Sequence, residues 1–194
     1  MSSLLAYKGT FPSIGDNVFI APGAWVIGDV VIGQGSSIWF NTLIRGDVHS
    51  IRIGSETNIQ DNSTLHVTEG RFPLNIGRRI TVGHRAIIHG CTIEDDCLIG
   101  MGAIIMDGAH IGRGSLVGAG AVVTPGTIVP PESVVLGFPA KVAKQVGDEE
   151  RRLIVESSLH YVELARQYLK SDGPLEGRRI CGFLEPGTEP RGIG

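Results

Sequence analysis

The chain has few aromatic residues, few cysteines and no long apolar run. Aromatics make up 6% of its 194 residues, which argues against a core built on large rings. Three cysteines, Cys91, Cys97 and Cys181, are an odd number without metal-finger spacing, a pattern that fits a reducing compartment rather than a disulfide scaffold. Nothing reaches the roughly eighteen consecutive apolar residues of a membrane-spanning helix, so no membrane partner is expected. A formal net charge of −3 and a pI near 6.1 provide no basic field, so no nucleic-acid partner is expected either. The opening MSSLLAYKGTFPS lacks the zones of a signal peptide, and a cytoplasmic location is the expectation. What is plentiful is glycine, with 28 residues, in a chain that is 42% hydrophobic and 19% charged. That composition describes a globular protein whose backbone turns often and packs small residues.

The turns recur with a step of six. Ile14, Ile20, Val26, Ile32, Ile38 and Ile44 form an aliphatic ladder that resumes at Ile53, Ile59 and Leu65 and again at Ile76, Val82 and Ile88. It then runs unbroken from Ile93 through Ile99, Ile105, Ile111, Val117, Val123 and Val129 to Val135. Four places beyond each rung stands a small residue in most hexads, such as Ala24, Ser36, Thr57, Ala86, Cys97 or Ala121. A helix of about 3.6 residues per turn would smear such a ladder around its circumference, whereas six is a multiple of the strand period of two. Each hexad therefore reads as a short strand and a corner, the small residue filling the inside of the corner. Stacked coils bury each aliphatic on the one below, worth roughly 1.5–3 kcal/mol per side chain. Cys97 occupies a corner slot, where packing is its role. After the ladder, DEERRLIVESSLHYVELARQYLKS predicts a helix within 146–171, with Asp148 as its cap and Ile154, Ser158, Tyr161, Ala165 and Tyr168 on one face. The Gly- and Pro-rich segment 172–194 reads as a loosely ordered tail.

The ladder breaks in three places: the step is nine from Ile44 to Ile53, eleven from Leu65 to Ile76 and five from Ile88 to Ile93. Counted in hexads, Ile44, Leu65 and Ile88 are three apart, so Arg45, His66 and His89 take the same slot on successive coils and form one column. With coils about 4.8 Å apart, His66 and His89 can converge on one metal ion. His84 belongs to a different edge, over Asp61 and beside Gln60, and reaches such an ion only from a second copy of the chain. Threefold assembly would give three equivalent sites, each with three histidines and an open position, the arrangement of catalytic zinc. Arg45 and Asp47 admit a plainer reading as a surface ion pair of small value. His49, His110 and His160 read as ordinary surface or core histidines.

The hexads, with the closing GFPAKVAK, resemble the hexapeptide-repeat superfamily, which implies a left-handed parallel β-helix shaped as a triangular prism over 1–145, all-β but for the C-terminal helix. The hand comes from the resemblance, since the usual crossover rule gives the opposite one. IRGD at Ile44 to Asp47, NIQDNSTLH at Asn58 to His66 and VGHRAIIHG at Val82 to Gly90 resemble the gamma-class carbonic anhydrases. That resemblance implies a homotrimer with zinc, or alternatively iron(II) or cobalt(II), at its subunit interfaces, hydrating CO2 to bicarbonate. It implies His66, His84 and His89 as ligands, Gln60 on the metal-bound solvent, Arg45 near bicarbonate, Asp47 and Asp61 in polar contacts at the interface, and Tyr161 approaching Gln60. The chain departs from the pattern where Val48 follows Arg-Gly-Asp in place of a glutamate and where the loop HVTEGRFPLNIG carries only Glu69 as an acid, so weak activity is expected. The alternatives are a metal-dependent thioesterase or an acyltransferase on the same fold, and a structural or assembly subunit without catalysis.

Overall fold

The computed structural model describes residues 4–171, and the segment 172–194, expected as a loose tail, lies outside them. The chain winds as a β-solenoid of stacked parallel coils. Each regular coil takes eighteen residues, with Ile14 opposite Ile32 and Ile20 opposite Ile38. Three faces result, each carrying one third of the ladder. One face stacks Ile14, Ile32, Ile53, Ile76, Ile93, Ile111 and Val129. The second stacks Ile20, Ile38, Ile59, Val82, Ile99, Val117 and Val135. The third stacks Val26, Ile44, Leu65, Ile88, Ile105 and Val123. Most rungs are buried and meet in one continuous core.

The corners explain the small residues. Ala24, Ala86, Ala103, Ala109 and Ala121 are buried, and the polar members of the set pair with the next coil. Ser36 Oγ donates to the Gly54 carbonyl at 2.9 Å, Ser63 Oγ to that of Gly83 at 3.1 Å and Thr42 Oγ1 to that of Gln60 at 3.0 Å. Among the described residues no buried side-chain nitrogen or oxygen lacks a partner, so these hydroxyls carry no desolvation penalty. Where a second-slot glycine starts a corner, the coils nearly touch: a Cβ on Gly33 would lie 2.5 Å from the Ser55 nitrogen. Charged corners form their own ladder, in which Asp96 accepts from Arg79 Nε at 2.6 Å and from Arg113 Nη2 at 2.8 Å.

Two features depart from simple coiling. Strands Trp25–Ile32 and Leu43–Ile53 run through a corner without a break and join two faces into one hydrogen-bonded sheet. GFPAKVAK does not continue the parallel stack, because Ala140–Gln145 folds back antiparallel on Ser133–Gly137 and closes the end. The helix spans Asp148–Lys170 and lies along the second face, its Ile154, Ser158 and Ala165 buried. Its cap differs from the expectation: Gly147 is the N-cap, Glu150 Oε2 accepts the Gly147 N–H at 2.9 Å, and Asp148 is the first helical residue, where its charge suits the dipole. Tyr161 and Tyr168 stack edge-on against Trp39, each with ring centres 5.3 Å away, and Phe19 and Phe40 join this cluster under the helix. No described helix is long and apolar enough to cross a membrane.

Candidate metal centre

The three irregular steps all fall at or beside one edge of the prism, and the structure shows what they hold. Strand Leu43–Ile53 pairs with Thr64–His66, which pairs with Ile87–His89, so His89 lies directly opposite His66 and Arg45 follows in the same row. His66 Nδ1 stands 3.0 Å from His89 Nε2. The outer nitrogen of each ring is held by a carboxylate: His66 Nε2 lies 3.0 Å from Asp47 Oδ1, and His89 Nδ1 lies 2.6 Å from Asp107 Oδ1. Arg45 binds the other oxygen of Asp47, and Thr68 Oγ1 donates to Asp107 Oδ2 at 2.9 Å.

These contacts allow each ring to donate outward. An imidazole that donates from its outer nitrogen presents a lone pair from its inner one, so with both rings donating outward His66 and His89 would aim two lone pairs at each other. That is repulsive unless a cation lies between them. Burial, with Arg45 also facing it, pushes the His66 imidazolium below its ordinary range. Two nitrogens bound to one tetrahedral ion at about 2.0–2.1 Å would sit about 3.3 Å apart, close to the separation seen. The pair could thus supply two of the ligands of a divalent transition metal. Burial alone would raise the carboxyls of Asp47 and Asp107. Hydrogen bonds from Arg45 and His66 on the first, and from His89 and Thr68 on the second, outweigh it and hold both below the usual range, ionised for this task.

His84 stands elsewhere, after strand Thr81–Val82 of the second face, with Nδ1 2.7 Å from Asp61 Oδ2. Val82 pairs with Ile59, so Gln60 and Asp61 lie one coil below Gly83 and His84. Gln60 is buried and donates through Nε2 to Asn58 Oδ1 at 3.1 Å; Asn58 in turn donates to Thr81 Oγ1 at 2.9 Å. Tyr161 packs on Trp39, and burial, with the charge of Asp61 adding to it, pushes its phenol up. Asp47 and Asp61, which the family resemblance puts in interface contacts, each hold a histidine of their own chain. Among the described residues no group of three His, Cys, Asp or Glu side chains gathers into a site that could hold a metal ion.

Sequence reasoning missed Asp107 and Thr68. The first lies one coil above the corner of His89 and Gly90, and the second opens the inserted loop. Carrying the histidine column one coil further reaches Met106, and Asp107 is the next residue, in the slot above Gly90. No spacing rule points to Thr68, because loop residues have no slot in the repeat.

Two family models match the chain: the bacterial transferase hexapeptide (six repeats) at residues 11–46 and 90–125, and the hexapeptide repeat of succinyl-transferase at 73–105. A Methanocaldococcus jannaschii protein named "Probable carbonic anhydrase" is 52% identical over 152 residues, covering 78% of this chain and 95% of that one. The mitochondrial gamma carbonic anhydrase 2 of Arabidopsis thaliana is 46% identical over 160 residues, which are 80% of this chain but only 58% of the plant protein. Among solved structures, a hexapeptide transferase family protein from Anaplasma phagocytophilum superposes with a TM-score of 0.81 at 42% identity, covering 86% of this chain and 98% of that one.

Proposed function

Since the chain belongs to the gamma carbonic anhydrase family, we propose that it hydrates CO2 to bicarbonate as a homotrimer. Its metal centre is formed by His66 and His89 with His84 of the partner subunit. The observation that carries this reading is the facing imidazole pair, with each outer nitrogen on a carboxylate. Zinc there, or iron(II) or cobalt(II), would supply the Lewis acidity that lowers the pKa of water to about 7. Asp47, Asp61 and Asp107 keep the three rings oriented. Gln60, its amide fixed by Asn58, orients the attacking water at the edge where His84 stands. Arg45, anchored on Asp47 but with 41% of its side chain exposed, offers a cation to the bicarbonate product. Proton export is the weak step. Val48 packs against the core and offers no titratable group, and Glu69 is the only acid of the inserted loop.

The matching transferase models support a second reading, hydrolysis or transfer of an acyl thioester on the same fold. Metal analysis of anaerobically purified protein, combined with CO2 hydration and acyl-CoA hydrolysis assays, separates the two. The proposal expects close to one transition metal per chain and hydration that depends on it. Metal-replete protein that cleaves acyl-CoA and leaves CO2 untouched would favour the second reading. Replete trimers inert in both assays would mark a structural subunit.

A further inference from the structure

Each histidine of the proposed centre has its own carboxylate, but the Asp107 pair is built differently from the rest. Asp47 is shared with the cationic Arg45. Asp107 instead is braced by a neutral hydroxyl: Oδ1 lies 2.6 Å from His89 Nδ1, and Oδ2 takes the Thr68 hydroxyl at 2.9 Å. Both oxygens are committed, so the carboxylate cannot turn away from the ring. Thr68 comes from the insertion that lengthens the step between Leu65 and Ile76, a loop pinned by the Thr68–Phe72 bridge. Phe72 closes over the same corner, where a Cβ on Gly90 would lie 2.4 Å from Asp107 Oδ1 and 2.7 Å from Phe72 Cβ. Gly90 has a φ of +46°, in the left-handed region, so the corner is doubly reserved for glycine. The insertion, the glycine and the acid thus converge on one ring.

We infer that Asp107 is a positioning residue that fixes the tautomer and aim of His89, with Thr68 as its brace, and that the inserted loop thereby sets how tightly the metal is retained. The inference rests on the metal centre proposed above. It is tested on the full-length protein by cobalt(II) affinity, from competition with a chromophoric chelator, together with the visible spectrum of the cobalt-loaded protein. Loss of an outer-shell partner of this kind typically costs 10–100-fold in metal affinity. Asp107→Asn should weaken cobalt binding by that factor and shift the ligand-field bands. Thr68→Val should weaken it in the same direction, and Thr68→Ser, which restores the hydroxyl, should bind like the parent. A merely structural role would lower the thermal stability of the metal-free variants and leave the bands unmoved. If Asp107→Asn does not fold, the Thr68→Val and Thr68→Ser pair decides the question. Cobalt binding within twofold of the parent in both Asp107→Asn and Thr68→Val would overturn the inference while leaving the metal centre standing. A parent that takes up no cobalt would overturn both.

Discussion

Ile111 and Ile128 belong to neighbouring strands of one face, yet the ladder assigns them opposite fates. Ile111 is a rung, 0% exposed between Ile93 and Val129, while Ile128 stands one place before a rung and is 68% exposed. Truncating Ile111 to alanine removes three buried carbons. At about 0.8 kcal/mol each the transfer contribution is about 2.4 kcal/mol, and a core that cannot collapse around the cavity brings the total to about 3–4 kcal/mol. Ile128→Ala removes the same carbons from solvent and should cost under about 0.5 kcal/mol. The comparison belongs in metal-free protein, because bound metal adds stability of its own. Denaturant midpoints with unchanged m-values give the two costs directly. Coils contact only their neighbours, so a local loss should also appear as faster amide exchange in the strands around Ile93, Ile111 and Val129 before the rest. Equal costs for the two substitutions would refute the period-two assignment of inside and outside on which the fold is argued.

Acid should weaken the charged corner ladder. Burial alone would raise the Asp96 carboxyl, but hydrogen bonds from Arg79 and Arg113 outweigh it and hold its folded pKa below the ordinary aspartate range. Its contribution is therefore present above about pH 4 and lost as pH falls through the lower folded value, so Asp96→Asn should lower stability at pH 7 and flatten the acid limb; an unchanged limb counts against it. Burial pushes the Cys97 thiol up to about 12 and raises Cys91 as well, so a thiol reagent at about pH 8 should leave both unmodified until the protein is denatured, as peptide mapping would show. Val48→Glu should raise CO2 hydration, with a gain that shrinks as buffer concentration rises; if abundant buffer does not accelerate the parent, proton export is not its bottleneck.

Much of this was legible because each repeat puts one large aliphatic into the core at the same place and leaves the same signature each time. Counting hexads in place of residues carried the register across the irregular steps, and it put His66 opposite His89 although 23 residues separate them. The same count put His84 over Asp61. What stayed hidden was contact made outside the repeat. The brace from Thr68 to Asp107 depends on how an inserted loop folds over Gly90, which no period encodes. Asp148, expected as the N-cap, stands instead in the first turn, because acidic residues suit both positions and Gly147 with Glu150 forms the cap. The final hairpin broke the parallel order because a solenoid end has no further coil to pair with and Ala140–Gln145 covers it instead.

The central claim is that the two histidines of VGHRAIIHG serve different metal centres. His66→Ala and His84→Ala chains, each purified separately, should assemble without complete sites and bind little metal. Refolded together and isolated as mixed trimers, they should regain part of it, because a His84→Ala subunit still offers His66 and His89 while its neighbour still offers His84. The decisive measurement is metal content per mixed trimer. Recovery to a substantial fraction of one site per trimer is the predicted result, and mixed trimers as empty as either parent mutant would contradict the shared centre.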